Sequence, residues 1–154
     1  MTRRVTARVM LGAIAVAAGL SGCGAPSDPE QELRELIDAA ASAAEARDTG
    51  FFRDLIAGGY RDSRGNDRDQ LINYLRGYFL THMQIEVVSR IAEVELQGAD
   101  AARVVVQAGM LGRRAGQPVL SQLNADLYRI ELELVGGSGG WQVIGARWER
   151  ALGE

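Results

Sequence analysis

Residues 128–149 read YRIELELVGGSGGWQVIGARWE. Tyr128, Ile130, Leu132 and Leu134 alternate with Arg129, Glu131 and Glu133, the two-residue period of a strand with one apolar and one wet face. Gly136-Gly137-Ser138-Gly139-Gly140 then turns the chain into a second strand, Trp141 to Glu149. On that strand two sets compete for the inside. Trp141, Val143 and Gly145 share a side with Arg147, and Ile144, Ala146 and Trp148 share the other. If the Ile144 set is inward, Trp141 and Val143 make an exposed apolar strip beside Arg147, and such strips mark interfaces. Glu131, Glu133 and Glu149 read as a solvated face.

Upstream the same period recurs. Ala102, Val104, Val106, Ala108 and Met110 form a clean alternation after the turn Gly98-Ala99-Asp100-Ala101. Before it, Ile85 and Val87 alternate with Glu86, while Ala92, Val94 and Leu96 alternate with Glu93 and Glu95 in the opposite phase. A slip of one residue near Ser89 to Ile91 is what a β-bulge produces, so this is one long bent strand or two short ones. Gly112 to Pro118 is polar and reads as a mobile loop. Strands joined by short turns predict an antiparallel sheet.

The segment before the strands has helical spacing. Asp28 and Pro29 suit the N-cap and first position of a helix, with Gln31 set to reach back as in a capping box. Leu33, Leu36, Ile37, Ala40 and Ala44 form its apolar stripe as far as Arg47. Thr49 caps a shorter helix with Phe51, Phe52, Leu55 and Ile56, stopped at Gly58-Gly59. Tyr60 to Asn66 is turn-forming. Asp67 and Gln70 have capping-box spacing for a third helix carrying Leu71, Ile72, Leu75, Tyr78 and Phe79. Three helices before any strand, then an antiparallel sheet, is an α+β order.

At the N-terminus, Arg3, Arg4 and Arg8 precede the uncharged run Val9 to Leu20, too short to span a bilayer. Leu20-Ser21-Gly22-Cys23 resembles the lipobox of bacterial lipoproteins. That resemblance implies cleavage between Gly22 and Cys23 and lipid on the only cysteine; a plain secretory signal with a chance cysteine is the alternative. The expected organisation is a signal peptide over 1–22, lipidated Cys23 with a short tether over 23–28, and one domain over 29–152. Two or three acyl chains would hold it firmly to a membrane. The tether Gly24 to Ser27 reaches only about 15–20 Å. Gly24, rather than Asp, implies the periplasmic face of the outer membrane in a Gram-negative cell envelope.

Composition narrows the function classes. All 17 basic residues are Arg, against 20 acidic residues, for a net charge of −3. Losing Arg3, Arg4 and Arg8 with the signal carries the mature chain to −6. An acidic domain without a basic run binds nucleic acid and anionic head groups poorly, so membrane attachment must come from the lipid. One His and a lipid-consumed Cys exclude a Ser-His-Asp triad built around a second histidine, a Cys-His pair and a His-rich metal site, and no cofactor motif is present.

The helix-then-sheet order, ending in Tyr128-x-Ile130-x-Leu132-x-Leu134 and Trp141-x-Val143-x-x-Ala146-x-Trp148, resembles the cone-shaped nuclear transport factor 2-like superfamily, which includes ketosteroid isomerases and SnoaL-type polyketide cyclases. The resemblance implies a pocket at the wide end of the cone and frequent sheet-to-sheet homodimers. The enzymes among them use a carboxylate base and hydrogen-bond donors to an enolate oxygen. Their Asp and Tyr cannot be placed here residue by residue. Tyr60, Tyr78, His82, Asp126 and Tyr128 are the candidates for pocket polars, each with a bland reading as core edge, surface or, for His82, a helix-end ring facing the last carbonyls. The function expected is a non-catalytic, membrane-anchored binding module for a small apolar ligand or an envelope protein. The alternative is an isomerase, cyclase or dehydratase acting on a hydrophobic carbonyl compound.

Overall fold

A computed structural model describes residues 28–113, 126–137 and 139–151. The expected signal peptide, Cys23 and residues 114–125 lie outside the described residues; of the expected loop over Gly112 to Pro118, Gly112 and Arg113 instead continue a strand. The elements run α1 (Pro29–Glu45), α2 (Thr49–Leu55), β1 (Ile56–Asp62), α3 (Arg68–Thr81), β2 (Gln84–Leu96), β3 (Ala101–Arg113), β4 (Asp126–Val135) and β5 (Gln142–Arg150). The five strands form one sheet in the order β1-β5-β4-β3-β2.

The helix starts follow from capping chemistry. Asp28 accepts from the Glu30 amide at 3.0 Å, with Pro29 in the first turn. Gln31 does not reach back; its amide nitrogen donates to Glu35 at 2.8 Å. Asp48, rather than Thr49, caps α2 by accepting from the Gly50 and Phe51 amides. At α3 the reciprocal box is complete: Asp67 accepts from the Gln70 amide and the Gln70 side chain accepts from the Asp67 amide, both at 2.9 Å. On α1 the apolar stripe buries Leu33 completely and Ile37 almost so. Both lie in a core with Tyr60, Ile72, Val104, Val106, Leu134 and Val143.

Two expectations are corrected. A strand, β1, intervenes between the second and third helices, built from the Ile56-to-Asp62 stretch that reads as a helix stop and a turn. It pairs parallel with β5, so the sheet is mixed rather than antiparallel. The pairing skips: Ile56 lies opposite Val143 and Arg61 opposite Gly145, five residues against two. Gly58 and Gly59 occupy that bulged stretch with open space around them. A glycine pair weakens a strand locally; here the pairing to β5, more than eighty residues along the chain, overrides it.

β2 is a single strand paired with β3 along its length, with its bulge at Ala92, between Ile91 opposite Val106 and Glu93 opposite Val105. β5 has a bulge too, at Ile144, since Glu133 faces Gly145 and Leu134 faces Val143. The extra residue changes the side-chain phase. Val143 before it and Ala146 after it both pack on the core, while Ile144 is 36% exposed. Neither alternating set of the last strand is therefore wholly inward. The apolar strip of Trp141 and Val143 does not form outside: Val143 is buried and Trp141 packs against the core. The Trp141 indole N–H donates to Glu32 at 2.9 Å, tying the hairpin end to the start of α1. At the other end of α1, Glu45 accepts from the Val87 amide on edge strand β2 at 3.0 Å.

Candidate functional site

The helix-facing side of the sheet is filled by apolar residues of α1, α3, β3, β4 and β5. The buried polar side chains decide what acid–base chemistry the domain can perform. Asp62, at the end of β1, is 7% exposed. Its Oδ1 accepts from the Arg64 amide at 2.8 Å and the Asn66 amide at 2.9 Å, and its Oδ2 accepts from the Asn66 side-chain nitrogen at 2.9 Å. Gly65, at φ 85°, lets the loop close around the carboxylate. Burial pushes the Asp62 pKa up, but the bonds from Asn66 and Arg64 outweigh it and hold the carboxyl below its usual range. A carboxylate bound in this way is stabilised as the anion and is a poor base.

His82 ends α3 and is 6% exposed. Its Nδ1 lies 2.8 Å from the Tyr78 carbonyl oxygen and 3.1 Å from the Thr81 hydroxyl, and its ring stacks on Tyr78 at 4.0 Å between centroids. The two sequence candidates from this helix are thus brought together by their i, i+4 spacing. Tyr60 is 1% exposed within the core. Its hydroxyl has no hydrogen-bond partner, and burial, then the neighbouring Asp62 charge, pushes its pKa far up. Tyr128 is half-buried on the helix-facing side of β4, opposite Ala108 and Arg150. Asp126 opens β4, and its side chain lies outside the described residues.

On the opposite, outer side a groove of about 220 Å³ crosses four strands. Its walls include Arg61, Arg103 and Arg147, with Glu131 and Glu133 between them, Gly145 at its base, and Asp62 and Ser63 bordering it where β1 ends. Arg103 is held by carboxylates: Glu95 at 3.1 Å, Glu131 at 3.7 Å and Glu93 at 4.0 Å. The Glu95 hydrogen bond, then the Glu131 charge, raises its already high pKa. Arg129 reaches the other Glu131 oxygen at 3.6 Å, and Arg61 lies 3.4 Å from Asp67. The expected glutamate ladder on the outer face is thus partly laced with arginine. Exposed pairs of this kind add little stability each, but they fix where charge sits. Of the residues assigned to an interface strip, only Arg147 lies on this side.

Sequence reading missed Asp62, Ser63, Arg61 and Arg103. The run Asp62-Ser63-Arg64-Gly65-Asn66-Asp67 is turn-forming and signals the loop, but nothing local shows that Asp62 is buried or that its neighbours meet β4 and β5. Among the described residues no group of three or more His, Cys, Asp or Glu side chains is placed to hold a metal. No helix among them is long and apolar enough to cross a membrane.

No protein-family model matches the chain, and no curated protein matches it significantly. Solved structures do. A putative dehydratase from the NTF2-like family of Streptomyces avermitilis aligns with a TM-score of 0.69 at 14% identity, covering 83% of this chain and all of that one. A domain of unknown function with a cystatin-like fold from Nostoc punctiforme aligns at 0.65 and 15% identity, covering 84% and 81%. A ketosteroid isomerase-like protein from Erwinia carotovora atroseptica aligns at 0.61 and 14%, covering 83% and 100%. The chain has the nuclear transport factor 2-like α+β fold, with three helices and a five-stranded sheet among the described residues. At such identities the likeness is one of fold, and fold does not carry activity.

Proposed function

We propose that this protein is a lipid-anchored, non-catalytic binding module of the cell envelope, attached through Cys23 and, in a Gram-negative cell, held at the periplasmic face of the outer membrane. The observation that carries the non-catalytic part is the state of the buried polar groups. Asp62 spends its carboxylate on three donors of its own loop, and His82 is bonded to its own helix end and stacked on Tyr78. A general base needs a lone pair aimed at substrate and a pKa near the working pH; Asp62 has its pKa moved the wrong way. The anchor rests on Leu20-Ser21-Gly22-Cys23. The recognition surface of this reading is the outer groove and the sheet around it, which favours a polar ligand or an envelope protein over a small apolar one.

The test is capture from the host envelope by the full-length chain in mild detergent, read by native mass spectrometry. A reproducible added mass supports binding; turnover of a carbonyl compound that depends on Asp62 or His82 refutes the non-catalytic reading. One observation favours a second reading, an isomerase or dehydratase. The Tyr60 hydroxyl is buried without a partner, as a donor awaiting an enolate oxygen would be. In that case Tyr60→Phe abolishes turnover without unfolding the protein.

A further inference from the structure

The outer groove holds two unlike charges that leave each other alone. Glu133 lies directly opposite Gly145, and Arg147 lies opposite Glu131, so Glu133 and Arg147 are diagonal neighbours on one face of the β4–β5 pair. Such positions are about 7–8 Å apart, within reach of both side chains. Yet among the described residues neither has an ion-pair partner, while Arg61, Arg103 and Glu131 in the same groove are all paired.

Gly145 explains the posture of Glu133. A Cβ at that position would stand 3.0 Å from Glu133 Oε2 and 3.4 Å from the Arg61 carbonyl oxygen. The carboxylate therefore lies over the bare glycine, in the space a side chain would occupy beside the β1 backbone, and makes no ion pair with Arg147. The register skip that carries β1 from Ile56 to Arg61 sets Arg61 opposite Gly145 as the far wall. The result is a depression with a free carboxylate at its base and a free guanidinium at its rim.

The charges select the ligand. A plain anion meets Arg147 but also Glu131, Glu133 and the loop-bound Asp62, inside a chain of net negative charge. A plain cation meets those carboxylates but also three arginines. A molecule carrying both charges satisfies both free groups, and guanidinium with carboxylate is a strong, directional pair. The volume equals about seven waters, which sets the size.

We propose that this groove binds a small amphoteric ligand of amino-acid to dipeptide size, its carboxylate on Arg147 and its ammonium at Glu133. This deepens the binding-module reading by naming the ligand class of the outer groove, and it does not depend on the anchor.

The experiment titrates the full-length chain in detergent with glycylglycine, followed by amide shifts of residues 131–133 and 145–147 in nuclear magnetic resonance spectra. N-acetylglycine, which keeps only the negative charge, and glycinamide, which keeps only the positive one, are the comparison probes. Saturable shifts with glycylglycine are expected, with affinity about tenfold or more above either comparison probe. Arg147→Gln and Glu133→Gln should each lower that affinity about tenfold. Gly145→Ala should do the same by displacing the Glu133 carboxylate, and Arg90→Gln, away from the groove, should leave it unchanged. No saturable shift, equal binding of a singly charged probe, or indifference to all three groove variants overturns the proposal. Envelope capture that persists after a failed titration leaves the binding-module reading standing and removes only the ligand assignment.

Discussion

Asp62→Ala separates a structural carboxylate from a catalytic one. The side chain accepts three hydrogen bonds from Arg64 and Asn66 at 2.8–2.9 Å. A hydrogen bond to a charged group contributes about 1.5–3 kcal/mol. The three share one carboxylate, so they do not add. Truncation should cost about 2–3 kcal/mol. For a domain of this size that is a fall in Tm of roughly 6–15 °C. The pH dependence carries the sign: because the folded-state pKa is depressed, the contribution is present above the unfolded value of about 3.8 and is lost as pH falls through the folded value. The gap in stability between the natural chain and Asp62→Ala should thus be full at pH 6 and shrink on acidification below pH 4. Urea unfolding followed by circular dichroism across that range is the assay. A loss under about 0.5 kcal/mol at pH 6, or a gap that does not narrow in acid, refutes the reasoning and reopens Asp62 as a group held ready for chemistry.

Leu33→Ala, at a position with no exposure, should cost about 2–5 kcal/mol in the same unfolding assay. Trp148, half-buried under the Arg64 guanidinium at 5.1 Å, should lose only about 1–3 kcal/mol on truncation to Ala; a larger loss would show it fully enclosed. Deleting Ile144 should be tolerated, since Val143 stays inward, Gly145 outward and Ala146 inward once the bulge is gone. Deleting Leu132 from regularly paired β4 should prevent folding, and solubility with circular dichroism distinguishes the two outcomes. Cys23→Ala should move the protein from the detergent phase to unlipidated precursor or soluble protein; unaltered partitioning refutes the anchor.

Much of the fold is legible in the chain because it is written in local periodicity. The apolar stripe of α1, the Asp67–Gln70 box of α3 and the alternation in β3 and β4 each need only neighbours within a few residues. The long β2 strand with a phase slip is visible for the same reason, and the structure moves its bulge only to Ala92. What local pattern cannot show is a choice made by a distant partner. Ile56-Ala57-Gly58-Gly59-Tyr60 has the composition of a helix stop and becomes a strand because β5 offers it hydrogen bonds. Trp141, Val143 and Ile144 admit two facings, and the bulge at Ile144 accepts neither in full, since the bond to Glu32 holds Trp141 inward and Val143 packs in the core. The groove is the extreme case. Arg61, Arg103, Glu133 and Arg147 come from four strands spread over more than eighty residues, and only sheet order brings them to one depression. By itself the sequence determined the starts of α1 and α3, the alternation of β2, β3 and β4 and the acidic, lysine-free charge, which need no distant partner. The tertiary structure decided which face each strand shows, which carboxylate is buried and which charges remain unpaired, because those depend on contacts the chain makes only once it has closed on itself.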